Sequence, residues 1–142
     1  MRKKTIFTAF VIAIATLIAA ACGGRAGSSN SEKVIKSTSA GNLTVTLANG
    51  TGELKSGDND LVITFADASG KTVEVGAASL NFHMPAMGSM AEMSDQATLT
   101  TTDTPGKYRA KVTLEVGGTW EAQIKYQGPQ GTGQASMTVN AK

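Results

Sequence analysis

Cysteine occurs once in the 142 residues, at position 22, and histidine once, at position 83. A single thiol excludes any intrachain disulfide, so the folded part must be held by core packing alone. It also excludes a cysteine-built zinc site and a thiol nucleophile from the folded domain. A lone histidine with no nucleophile motif around it gives no constellation for acid–base or covalent catalysis, so no enzyme activity is expected. The chain shows no internal repeat, no convincing helical pattern beyond its first residues and no basic patch of the kind that binds nucleic acid.

The N-terminus is the first positive feature. Met1-Arg2-Lys3-Lys4 is cationic, and Thr5 to Ala21 carries no charge and is rich in Ile, Val, Leu, Phe and Ala. A basic head, an apolar run and small residues at the cut form a secretion signal over residues 1–21. The run is short of the roughly 20 residues that a spanning helix needs. It ends in Ala19-Ala20-Ala21-Cys22, which resembles the lipobox of bacterial lipoproteins. The family usually places Leu where this chain has Ala19. The resemblance implies cleavage before Cys22, acylation of that residue (palmitate among the chains) and lipid anchoring on the extracytoplasmic side. The expected location is the cell membrane or outer membrane, facing the periplasm or cell exterior. Gly23 after the cysteine favours the outer membrane in a two-membrane cell. Cleavage also removes three of the thirteen basic residues, leaving ten against eleven acidic ones and a net charge of −1. The apparent basicity of the precursor is mostly targeting.

Residues 22–40 are Gly, Ser, Asn and Lys with few large apolar side chains, and they read as a lipidated flexible tether. Residues 41–142 have the size of one domain. Apolar residues alternate with polar ones in Leu43-Val45-Leu47, Leu61-Ile63-Phe65, Tyr108 to Val116, Trp120 to Tyr126 and Ala135-Met137-Val139. Leu80-Phe82 and Ala97–Thr101 add two more runs. Period two means strands with one face in a core. Turn signals at Asn49-Gly50, Ser69-Gly70, Pro105-Gly106, Gly117-Gly118 and Gly128-Pro129 separate them. The expectation is an all-β fold: an antiparallel immunoglobulin-like β-sandwich of about seven strands.

One segment stands apart. Four methionines, Met84, Met87, Met90 and Met93, fall within ten residues, and His83 sits beside the first. Thioether sulfur selects Cu(I), and imidazole accepts several transition metals. Hard ions such as Mg²⁺ or Ca²⁺ want oxygen cages, which this segment lacks. The candidate ligands for copper as Cu(I) are therefore His83, Met87, Met90 and Met93, with Met84 as the least available because it shares the inward parity of Leu80 and Phe82. Methionine also fills irregular cores, so a packing loop or a loop that docks a membrane partner without metal stays open. Glu92 and Asp95 read as a solvated acidic pair. Trp120 shares the parity of Ala122 and Ile124 and belongs in the core.

The segment Met84-Pro85-Ala86-Met87-Gly88, the Thr-rich run Thr98 to Thr102, Gly106-Lys107-Tyr108 and Gly118-Thr119-Trp120 occur in the order seen in YtkA-like domains. The chain resembles that family, which is related to the FixH-like periplasmic domains. The resemblance implies an immunoglobulin-like sandwich outside the cytoplasm, near copper handling and oxidase assembly, with a copper efflux or oxidase-assembly membrane protein as partner. Many members carry His where this chain has Ser89, so a second imidazole ligand is missing and Met90 and Met93 are candidates to replace it.

Overall fold

The computed structural model describes residues 31–142. The expected leader, residues 1–21, and Cys22 lie outside the described residues. Nine strands follow in chain order: β1 (Lys33–Ala40), β2 (Leu43–Asn49), β3 (Gly57–Ala66), β4 (Ala77–Met84), β5 (Met93–Gln96), β6 (Thr98–Thr101), β7 (Lys107–Leu114), β8 (Gly118–Gly128) and β9 (Gly131–Ala141). No helix among the described residues is long and apolar enough to cross a membrane.

The strands form two antiparallel sheets, one in the order β1-β2-β3-β7-β6 and one in the order β5-β4-β8-β9. Lettered as an immunoglobulin domain, β2, β3, β7 and β6 are A, B, E and D, and β4, β8 and β9 are C, F and G. Strand β5 takes the C′ position beside C, and β1 is an addition outside A. The topology is thus immunoglobulin-like with an extra strand on each sheet.

Alternation builds the interior. In β8 the buried residues are Trp120, Ala122, Ile124 and Tyr126; in β7 they are Tyr108, Ala110, Val112 and Leu114. They face Leu61, Ile63 and Phe65 of β3 and Leu80, Phe82 and Met84 of β4 across the sandwich. The Phe65 ring meets Tyr126 at 5.5 Å and Tyr108 at 5.8 Å, both edge to face, an arrangement that adds roughly 0.5–1.5 kcal/mol per pair beyond burial. Each buried tyrosine hydroxyl has a backbone acceptor. Tyr108 Oη donates to Gly76 O at 2.9 Å, and Tyr126 Oη donates to Ala40 O at 3.0 Å. Trp120 Nε1 donates to Val116 O at 3.1 Å, four residues upstream. This indole closes the corner between E and F, the place a tyrosine occupies in many immunoglobulin domains.

Two expectations are corrected. The tether does not extend to Ala40. Lys33–Ala40 is strand β1, paired in antiparallel register with β2 from Lys33↔Asn49 to Ala40↔Leu43. Apart from Ile35, which packs against the core, and Ala40, which is fully buried, its side chains place little in a core, but its backbone groups complete the edge of β2. The segment Met93–Gln96, read as loop, is β5, paired with β4. With these two additions the count rises from about seven to nine.

Buried polar side chains shape the end of the sandwich near residues 49–59. Asn49 Oδ1 accepts from Thr51 N at 2.9 Å, and its Nδ2 donates to Glu53 O at 2.6 Å. Asn59 Oδ1 accepts from Lys55 N at 3.0 Å, while its Nδ2 donates to Lys55 O at 2.7 Å. Both amides are thereby satisfied, which removes the cost of burying them.

Candidate metal centre

The methionine segment is the β4–β5 hairpin. Its register runs without a slip: His83 faces Ser94, Met84 faces Met93, and beyond the paired strands Met87 faces Met90. Met87 N donates to Met90 O at 3.1 Å, and Met90 N donates to Met87 O at 2.9 Å. Two residues remain at the apex, Gly88 and Ser89. Gly88 has φ +59°, the left-handed conformation that a two-residue hairpin turn asks of its first central residue.

This register sorts the candidate residues onto two faces. Met84 is 3% exposed and belongs to the core, and Met93, opposite it, packs against the same core. One wall of the Met84 site is the backbone of Gly118, where even a methyl group would stand 3.1 Å from Met84 Cε. Those two sulfurs are thus spent on packing. Met87 and Met90 are 55% and 44% exposed. As a doubly hydrogen-bonded pair they have Cα atoms about 5.5 Å apart and send their side chains out on one face.

His83 lies on the outer face of β4, between Ser94 on β5 and Glu121 on β8. By alternation this is the face of Met87 and Met90. Met87 lies four positions beyond His83, about 13 Å at the usual strand rise. Only side chains laid flat along the strand could share one ion across that gap. Among the described residues no three His, Cys, Asp or Glu side chains gather as a ligand set. Donors at the apex are therefore the two thioethers, and these suit a soft monovalent ion better than a hard divalent one.

The acidic pair of the same segment separates. Glu92 is exposed, whereas Asp95 lies opposite Phe82 and turns one carboxylate oxygen inward; its Oδ2 is buried and has no hydrogen-bond partner among the described residues. A broad concavity of about 800 Å³ on the outer face of the five-stranded sheet, beside Arg109, Lys107 and Thr102, does not include the methionine hairpin.

Most motif residues have structural work that the structure makes visible. Gly106 adopts φ +80° with Val73 O only 2.2 Å from where a Cβ would be. Tyr108 and Trp120 are buried and hydrogen-bonded, Met84 is core, and Gly88 makes the turn. Met87 is the large apolar side chain of these motifs that the interior leaves exposed.

No curated protein and no solved structure matches the chain. The profile of the YtkA-like family matches residues 38–125, from the end of β1 into β8 and so across both sheets. With its sandwich and its motif residues in place over well more than half of its length, the chain belongs to the YtkA-like family.

Proposed function

We propose that this protein is an extracytoplasmic domain, lipid-anchored through Cys22, that holds Cu(I) between the sulfurs of Met87 and Met90 as cargo for buffering, efflux or delivery to an oxidase. The observation that carries the reading is the exposure of this pair. Apolar side chains left about half in water at a hairpin apex forgo roughly half of the 1.5–3 kcal/mol each that full burial would contribute, and two thioethers set face to face by backbone hydrogen bonds are a soft-ligand pair. Met84 fills the core, Met93 packs partly buried against it, and both stand outside the ligand set. His83 is a distant neighbour on the same face. No catalytic step is assigned.

The test uses the chain from residue 22 onward with Cys22→Ser, which removes the competing thiol. It is titrated with Cu(I) against a chromophoric chelator under reducing conditions. The domain should take up one Cu(I), and the Met87→Ala/Met90→Ala variant should lose it. Equal competition by both proteins sinks the copper reading. The same exposed pair also favours a second reading, in which the hairpin docks a membrane protein without metal. Capture of one partner that needs Met87 and Met90 and is indifferent to copper chelation would establish it.

A further inference from the structure

Resting on the copper reading, we propose that the hairpin apex is an open donor site: Met87 and Met90 leave Cu(I) accessible to a third ligand, and the ion passes to its acceptor by associative ligand exchange. The acceptor is a protein that presents soft donors, thioether or thiolate, on a surface able to reach a protruding hairpin.

Three observations support this. First, the pair sits on a two-residue turn, with only Gly88 and Ser89 beyond it, and among the described residues both side chains stay about half exposed. Second, the hairpin's other two sulfurs, Met84 and Met93, are engaged with the core on the opposite face and are not free to close the coordination sphere. Third, His83 stands about 13 Å back along the strand, and its flanking residues Ser94 and Glu121 belong to the outer face of the sheet rather than to the apex. Among the described residues the apex therefore offers two soft donors and leaves one side of the ion to solvent. In the exchange a sulfur of the acceptor forms a bond to Cu(I) before a Cu–Sδ bond to Met87 or Met90 breaks. No electron moves and no proton is released by the thioethers.

The experiment follows transfer from the Cu(I)-loaded chain (residues 22–142, Cys22→Ser) to bicinchoninate, a bidentate Cu(I) chelator, by stopped-flow absorbance. Associative exchange makes the rate rise in proportion to chelator, so doubling the chelator doubles the rate. His83→Ala should leave both the rate and the one-to-one loading unchanged. A rate independent of chelator concentration means release from a closed site and overturns the inference while leaving the copper reading intact. Faster transfer by His83→Ala would show the imidazole closing the site, with the same consequence. One copper bound per two chains would place the third ligand on a second copy and also overturn it. A chain that retains no Cu(I) before chelator is added overturns the copper reading itself.

Discussion

Met84 and the Met87–Met90 pair carry the same side chain in one hairpin, so truncating each to alanine separates packing from exposure. Met84 is 3% exposed, with the Gly118 backbone as one wall of its site. A backbone wall held in a sandwich cannot collapse far into the vacated space. Met→Ala at such a position costs about 2–5 kcal/mol, the transfer term plus the cavity. Taking about 3 kcal/mol, and a shift of about 4 °C per kcal/mol for a domain of this size, Met84→Ala should lower Tm by about 12 °C. Met87→Ala and Met90→Ala remove side chains that are already about half in water, and each should stay within about 0.5 kcal/mol of wild type. Unfolding can be followed through Trp120, the single tryptophan and fully buried, in thermal and urea titrations of the metal-free domain. A Met84→Ala variant as stable as wild type, or a Met87→Ala/Met90→Ala variant that loses as much as Met84→Ala, would refute the assignment of faces.

Other expectations concern the backbone, the pH dependence and the anchor. Gly106→Ala places a Cβ against Val73 O at φ +80° and should destabilise by roughly 3 kcal/mol or more, or abolish folding, as read by urea titration. Burial first, and then the carboxylate of Glu74, push the Tyr108 hydroxyl above its ordinary value of 10.0. The fold therefore prefers the neutral phenol: its contribution is complete below pH 10.0 and is lost as pH rises through the elevated value. Tyr108→Phe should show a shallower alkaline decline in stability than wild type, and equal declines would exclude this assignment. The membrane-extracted protein should begin at an acylated Cys22 by intact mass, and Cys22→Ser should move it to the soluble fraction; a membrane-bound Cys22→Ser protein would remove the anchor.

The strands that bury a face were legible because alternation is a local signal. Leu61-Ile63-Phe65 and Tyr108 to Leu114 need no knowledge of their partners to be read as strands. Strands β1 and β5 were not legible for the opposite reason. Ser37, Thr38 and Ser39 in β1, and Ser94, Asp95 and Gln96 in β5, bring little apolar area; they are strands because a neighbouring backbone offers them a ladder, and that is a tertiary fact. The same distinction runs through the candidate site. Met84 could be placed in the core from the parity of Leu80 and Phe82. Met93 could not, because its face depends on the register across the hairpin, which the turn at Gly88-Ser89 sets. A two-residue turn between Met87 and Met90 is in principle visible in the spacing, with Gly as its first central residue. Pro85 and the mixed Ala86-Ala91-Glu92 surroundings hide the strand continuity on either side. The indole closing the E–F corner and the amide networks of Asn49 and Asn59 likewise depend on which backbone groups the fold leaves unpaired.

The most direct test of copper binding at the hairpin apex is a Cu(I) titration followed by NMR of methyl-labelled methionine. The chain from residue 22 onward has five methionines, Met84, Met87, Met90, Met93 and Met137, each giving its own methyl signal. The expected result is that the Met87 and Met90 signals move together and saturate at one equivalent, while Met84, Met93 and Met137 keep their positions. Movement of Met84 and Met93 with Met87 and Met90 unmoved, or no movement at any of the five, would contradict it.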